Sequence, residues 1–381
     1  MMKARGYNRT FFRGKQDEEG NRHFVEPMVL TVEESNTINL RQLKYFGANL
    51  NEIEKNNAIN QMQGLLESLK DAKEYGSILA VDNYDWELLL KFVDSEDTDG
   101  QISLDTLGIE LTQSQMKRLI CQGRIMLNKY CVVSTNPPYM GIANGNAKLN
   151  EYVKKNYPDS KADLFAVFIE RCGQMMKKNG YQAMITQHAW MFLSSFEKLR
   201  AKLQMTDIVN MAHLGARAFE EIGGEVVQTT SFVMRESHIA EYRGTYCRLI
   251  EPATQKGKEE MYLAGGKRYM AVQDNFTKIS GSPVAYWVSN KFLQNYKIGQ
   301  LMGEIAAPCA GLATGDNNIF QRIWYEVSYG NIGFGVKDCS ETLNRKEKWY
   351  PCNSGGEYRK WSTDDIMIVN WANDGKNTNV S

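Results

Sequence analysis

The stretch Tyr130-Cys131-Val132-Val133-Ser134-Thr135-Asn136-Pro137-Pro138-Tyr139-Met140-Gly141 decides the fold class. Tyr130 to Val133 has the β-branched and aromatic texture of a buried strand, and two prolines, which supply no ladder N–H, end it abruptly. Residues 144–159, rich in Asn and Lys, are too polar for a core and predict a flexible loop over a site. Leu164, Phe165, Phe168, Ile169 and Cys172 then fall on one face of a helix. Lys177-Lys178-Asn179-Gly180 suits the end of that helix, with cations at the carboxyl end of the dipole and glycine just past the stop. Residues 181–185 predict a strand, 196–203 a helix, 208–213 a strand, and 229–234 one more strand beside its predecessor. Residues 130–213 thus spell a βαβ rhythm. It implies an α/β fold with a parallel sheet that takes ligands at the carboxyl ends of its strands.

Upstream, Ile59, Met62, Leu65, Leu66 and Leu69 form a helical apolar stripe, as do Trp86, Leu89, Leu90 and Val93. Asp94-Ser95-Glu96-Asp97-Thr98-Asp99-Gly100 has a superficial calcium-loop look. Ser95 would open that loop and Thr106 would close it, where a bidentate Glu is required, so it reads as a solvated turn. Met116, Leu119 and Ile120 predict a further helix. Beyond about residue 240 the strands shorten, glycines cluster (Gly265-Gly266, Gly311, Gly315, Gly355-Gly356) and tryptophans concentrate at Trp287, Trp324, Trp361 and Trp371. The expected division is a catalytic domain over 1–240, followed by a linker and a mixed α+β recognition region over 241–381.

Bulk properties exclude several classes. The chain has 381 residues with 43% hydrophobic and 24% charged residues, which speaks against disorder and coiled coil. No run of about 18 apolar residues occurs and no secretory signal opens the chain, so a cytoplasmic location is expected, with no membrane partner. Lys+Arg and Asp+Glu balance at 45 each. That argues against a polycationic DNA coat but leaves room for one basic cleft. Seven dispersed cysteines without a C-x-x-C pair, and four histidines without a close grouping, predict reduced thiols and no metal site.

Asn136-Pro137-Pro138-Tyr139 sits where α/β folds place catalytic groups. An exocyclic aromatic amine is a poor nucleophile because its lone pair is delocalised into the ring. The Asn136 side-chain carbonyl and the Pro137 backbone carbonyl can each accept a hydrogen bond from such an NH₂, favouring a pyramidal nitrogen. Pro137 and Pro138 withhold competing donors and fix the turn. Tyr139 offers a flat face for an extruded base. Asn-Pro is also a common strand-ending turn; its placement after Val132-Val133 and before a polar loop, a helix and another strand favours the functional reading.

These residues resemble the fourth motif of amino-group methyltransferases that use S-adenosyl-L-methionine, in the N6-adenine subgroup with the recognition domain last. Asp163-Leu164-Phe165-Ala166-Val167-Phe168-Ile169-Glu170 resembles the following motif, in which Asp163 and Phe168, with Asn136, would contact the cofactor. Residues 179–185 and His188-Ala189-Trp190 resemble the next strand and the loop that shapes the base pocket. Gly215-Ala216-Arg217-Ala218-Phe219 resembles the motif whose aromatic, here Phe219, stacks on the flipped adenine opposite Tyr139. Residues 311–320, Lys348-Trp349-Tyr350-Pro351-Cys352-Asn353 and residues 355–361 resemble the recognition region of large adenine methyltransferases, most of all those of BREX phage-defence systems.

The resemblance implies a partial Rossmann-like methyltransferase sheet, double-stranded DNA as partner, adenine N6-methylation by base flipping in a phage-defence or restriction-modification system, and other phage-defence proteins as further partners. The family's glycine-rich cofactor loop has no counterpart ahead of Asn136, so the chain is expected to be an interior piece of a larger enzyme. Two alternatives stand beside this reading. One is a non-catalytic remnant that binds DNA or a partner; the other is a methyltransferase acting on a protein glutamine amide, whose nitrogen is equally unreactive.

Overall fold

The computed structural model describes residues 15–16, 19–20, 22–23, 28–95, 108–219, 227–300, 302–306, 314–353 and 367–375. The chain divides into two compact units, Met1–Ile298 and Gly299–Ser381.

The first unit opens with helices. α1 (Glu52–Ser68) starts at a capping box, in which the Asn51 side chain accepts from the Glu54 N–H and the Glu54 carboxylate reaches back to the Asn51 N–H. Its Met62, Leu65 and Leu66 are buried and pack with α2 (Trp86–Asp94) and α3 (Ile109–Leu127) around Phe46, Phe92, Leu119 and Ile120. All three helical stripes read in the sequence are therefore present. The acidic segment after Asp94 lies outside the described residues beyond Ser95.

The sheet comes next. Its strands are β1 (Tyr130–Thr135), β2 (Met176–Gln187), β3 (Asp207–Gly215), β4 (Thr229–Arg235), β5 (Arg243–Arg248) and β6 (Arg268–Val272), in the spatial order β1-β2-β4-β3-β5-β6. β1 and β2 are parallel, as are β3 and β5, whereas β4 runs antiparallel between β2 and β3, and β6 antiparallel to β5. The α/β class holds, but the parallel sheet is corrected to a mixed one. The hairpin-like return of β4 lets it insert between β2 and β3 and bond to both. β1, β2, β3 and β5 still point the same way, so their carboxyl ends share one edge of the sheet.

Four local expectations change. β1 is an edge strand among the described residues rather than a buried one, with Val132 62% exposed. Residues 144–159 contain α4 (Ala147–Asn156), capped by the Asn146 side chain on the Leu149 N–H. Leu149, Val153 and Tyr157, spaced by four, are buried against Ile78, Leu164 and Val167, an amphipathic stripe diluted by its polar neighbours. α5 (Leu164–Gln174) ends earlier than expected, and Lys177 to Gly180 belong to β2. Strands β5 and β6 extend the sheet to Val272, so the catalytic-domain boundary expected at residue 240 falls inside it, while the compact units divide at 298/299.

The core between sheet and helices is formed by Phe165, Ile169, Met184, Trp190, Met211, Phe232, Met234 and Tyr246, with α6 (Glu197–Leu203) contributing Leu199. α7 (Gln255–Leu263) connects β5 to β6, and α8 (Asn290–Ile298) ends the unit. The second unit contains a three-stranded antiparallel sheet, with Met367–Asn370 between Gln321–Ile323 and Trp349–Pro351. In the sequence resembling a recognition region, Asp316 caps a short helix through the Asn318 N–H; residues 311–313 and 355–361 lie outside the described residues.

Gly180 marks where β1 docks on β2. A Cβ there would lie 2.8 Å from the Lys177 carbonyl oxygen and 3.0 Å from that of Tyr130. All the atoms it would meet are backbone, so Gly180→Ala is expected to destabilise the unit by about 1–3 kcal/mol in urea unfolding; unchanged stability would contradict this close approach.

Candidate active site at the carboxyl ends of the strands

β1 delivers Asn136 directly past Thr135, which pairs with Met184 of β2. Asn136 and Pro138 are exposed, whereas Pro137 is buried. The Asn136 side chain makes no hydrogen bond within the protein among the described residues, so its amide oxygen is available to a ligand. With two prolines the turn has few donors of its own, and neighbouring elements hold it. The Tyr139 hydroxyl donates to the Ile185 carbonyl at 3.1 Å, and its ring meets Phe165 edge-on at 6.4 Å. Burial pushes the Tyr139 phenol up to about 12, so it remains a donor at neutral pH.

Asp163 completes the hold. It is the N-cap of α5: its Oδ1 accepts from the Phe165 N–H at 3.2 Å and from the Met140 N–H at 3.1 Å, while the Leu164 N–H donates to the Met140 carbonyl at 3.0 Å. Burial raises the carboxyl above its ordinary value, and the backbone donors of Phe165, Met140 and Leu164 oppose that shift. The Phe165 and Met140 bonds both fall on Oδ1. Phe168, one turn along α5, is half-buried and packs against the same core that receives Tyr139.

Asn136, Pro137, Pro138, Tyr139, Asp163 and Phe168 are therefore brought to one locality. Phe219 lies past the carboxyl end of β3, on the same edge of the sheet, half-buried, and no ring contact joins it to Tyr139 among the described residues. Gly215, at φ +67°, turns the chain out of β3 where a Cβ would crowd Ile250 at 3.0 Å. α7 ties down this exit from β3. Gln255 Nε2 donates to the Ala218 carbonyl at 2.9 Å, and the buried Lys258 Nζ donates to the carbonyls of Leu214 at 2.6 Å and Leu249 at 2.8 Å.

The structure joins His188, which the resemblance placed in the base-pocket loop, to two residues that sequence reasoning missed. His188, just beyond β2, and His213, near the end of β3, are hydrogen-bonded at 2.8 Å, and His213 is bonded to the Tyr286 hydroxyl at 3.1 Å. The two histidines are 25 positions apart, so no local grouping announced them. Their shared signal was position, since each lies at the carboxyl end of a predicted strand. Arg200 anchors the same loop, donating to the carbonyls of Trp190 (2.9 Å) and Leu193 (2.7 Å), and from Nη2 to that of Gly281 (2.6 Å).

Comparisons with known proteins match the residues of this site. The model of the Eco57I restriction-modification methylase family matches residues 33–219, which include the helical cluster, the Asn136 turn, Asp163, Phe168 and Phe219. This segment is similar to that methylase family. The chain is similar to adenine-specific methyltransferase PglX of Lacticaseibacillus casei (strain Zhang), at 42% identity over 80% of this chain and 26% of the relative. It is likewise similar to adenine-specific methyltransferase BrxX of Escherichia coli O9:H4 (strain HS), at 37% identity over 80% of this chain and 24% of that protein. The chain thus spans about a quarter of the length of the curated relatives it matches. Among solved structures, a nuclease-deletion mutant of the Type ISP restriction-modification enzyme LlaGI in complex with a DNA substrate mimic shares 12% identity at a TM-score of 0.34, over 48% of this chain and 20% of that one. No helix of the described residues is long and apolar enough to cross a membrane.

Two measurements probe the site's construction. Asp163→Ala removes the cap of α5 and the anchor of Met140, and is expected to cost about 1–2 kcal/mol in urea unfolding. Asp163→Asn, which keeps an acceptor oxygen, should cost less, and equal losses would contradict the capping role. The second concerns His213, which burial lowers from 6.5 to about 4, aided by His188, Arg248 and Lys258 and opposed by Glu251. A depressed histidine favours its neutral form in the fold. Its contribution is fully present above about pH 6.5 and disappears as pH falls toward 4. Unfolding measured across that window should show an acid loss of at most about 3 kcal/mol that shrinks in His213→Gln; identical acid limbs would refute it.

Proposed function

We propose that the chain forms part of a DNA adenine N6-methyltransferase that uses S-adenosyl-L-methionine, of the kind found in BREX phage defence. The observation that carries this reading is the exposed, internally unpaired Asn136 amide beside the buried Pro137, held in place by Asp163 and Tyr139 at the carboxyl edge of the sheet. The methylase-family match over the same residues, and the adenine-specific names of two relatives, support it.

In this mechanism a duplex adenine is extruded, at a cost of a few kcal/mol. Stacking on Tyr139 and Phe219 recovers part of that, at about 1–3 kcal/mol per aromatic contact. The Asn136 amide oxygen and the Pro137 carbonyl accept the two N6 hydrogens and aim the nitrogen lone pair. The cofactor supplies an electrophilic methyl group when bound. The Asp163 carboxylate would suit its cationic amine, and the half-buried Phe168 would offer an apolar wall to its adenine. Alignment supplies most of the rate, because effective molarity rises steeply when reacting atoms are held in line. Neutral Tyr139 and Asn136 serve as holding groups and take no proton; the one proton that N6 sheds after transfer passes to water. The whole protein's partners, double-stranded DNA and other phage-defence proteins, belong to the same proposal.

Asn136→Ala is expected to abolish transfer of tritiated methyl groups to unmethylated DNA while DNA affinity stays within about twofold, since phosphate contacts and not this single base contact supply most of the affinity. Near-normal methyl incorporation in that variant would overturn the reading. Transfer to a protein glutamine with none to DNA would favour the amide-methylating alternative.

A further inference from the structure

The polar pair between β2 and β3 is built more elaborately than packing requires. The Tyr286 hydroxyl is buried, and His213 Nδ1 is its hydrogen-bond partner at 3.1 Å. A buried phenol whose proton finds no acceptor loses the full desolvation cost of that donor, so the Tyr286 O–H donates to His213 Nδ1. His213 must then carry its proton on Nε2, which faces His188 Nδ1 at 2.8 Å. His188 in turn accepts on Nδ1 and carries its own proton on Nε2. Each step depends on the one before it, because a neutral imidazole has one donor and one acceptor nitrogen.

This chain of hydrogen bonds ends at a ring set in position by its surroundings. Phe192 meets His188 edge-on at 5.5 Å and lies 5.9 Å from His213 and 5.8 Å from Trp287. Arg200 ties the loop that carries His188 to the Gly281 carbonyl, just ahead of Tyr286 and Trp287. His188 is half-buried, and its Nε2 has no hydrogen-bond partner within the protein among the described residues. A cation stands beside His213: Arg248 pairs in register with it across β3 and β5, and its guanidinium lies 5.4 Å over the part-exposed Trp287 ring. Arg248 forms no ion pair among the described residues. A fixed neutral N–H, an unpaired guanidinium and an exposed aromatic are therefore gathered on the edge of the sheet that carries Asn136.

We propose that His188 is a DNA-binding residue whose Nε2–H, set in that tautomer by Tyr286 and His213, donates to a backbone phosphate oxygen of the target strand, with Arg248 supplying the positive charge. His213 and Tyr286 are positioning residues that act through it. The assignment rests on the DNA-methyltransferase reading above and extends it to the groups that seat the strand. A phosphate is the acceptor that suits both a fixed N–H and a free guanidinium.

The test has a spectroscopic arm and a binding arm. With four histidines in the chain, long-range proton–nitrogen correlation spectra of the ¹⁵N-histidine-labelled protein can resolve each ring. His188 and His213 are both expected as Nε2–H tautomers, and Tyr286→Phe is expected to release that bias; His188 found as the Nδ1–H form overturns the proposal. In the binding arm, a fluorescein-labelled duplex of mixed sequence is titrated. His188→Leu is expected to weaken binding about tenfold, as for a hydrogen bond to a charged group, and His188→Gln, whose amide donor takes the place of Nε2–H, by no more than about twofold. The salt slope should be unchanged in His188→Leu and reduced by about one in Arg248→Met. Equal affinity of His188→Leu and the unaltered protein, or a Gln variant as weak as Leu, overturns the proposal alone. Weakened S-adenosylmethionine binding in His188→Leu without DNA, measured by calorimetry, assigns the acceptor to the cofactor and overturns it likewise. Failure of the unaltered protein to bind the duplex overturns the functional reading and this inference with it.

Discussion

Two backbone N–H groups, one from Met140 in the turn after β1 and one from Phe165 in the first turn of α5, converge on a single oxygen of Asp163. Pro137 and Pro138 leave the turn short of donors, so it cannot be held by a ladder of its own. Asp163 offsets this from one side and the Tyr139 hydroxyl from the other, the latter on a carbonyl of β2. The Asn136 amide remains outside this web, with its oxygen free. A carboxylate that satisfies a helix N-terminus and a neighbouring turn together makes the position of the turn depend on the position of the helix.

The mixed sheet serves the same end. Because β4 runs backwards between β2 and β3, the carboxyl ends of β1, β2, β3 and β5 emerge along one edge. Each carries a group of interest there: Asn136 after β1, His188 after β2, His213 and the loop to Phe219 at β3, and Arg248 at β5. Ligand sites form at such edges because the strands end together and their loops can be varied without disturbing the ladder.

The loops on this edge are fastened largely by buried cations and amides bonded to backbone carbonyls. Arg200 holds Trp190, Leu193 and Gly281, and Lys258 with Gln255 holds Leu214, Ala218 and Leu249. Burial lowers Lys258 and Arg200 from their ordinary values. Bonding to carbonyls satisfies these donors without cancelling their charge. The Glu197 and Glu251 carboxylates oppose part of that lowering for Arg200 and Lys258 respectively.

The residues themselves determined the order of strands and helices from 130 to 235, apart from α4, and the turn at Asn136. Those features rest on local rules: proline ends ladders, and apolar spacing marks buried faces. α4 was hidden because its stripe of Leu149, Val153 and Tyr157 is outnumbered by Lys and Asn, and Gly180 looked like a helix stop because a close strand approach calls for the same residue. Tertiary structure alone decided that β4 inserts antiparallel, that the sheet runs on past residue 240, and that His188, His213 and Tyr286 meet. Strand order and long-range contacts depend on which surfaces pack together. No spacing within a single segment encodes that choice.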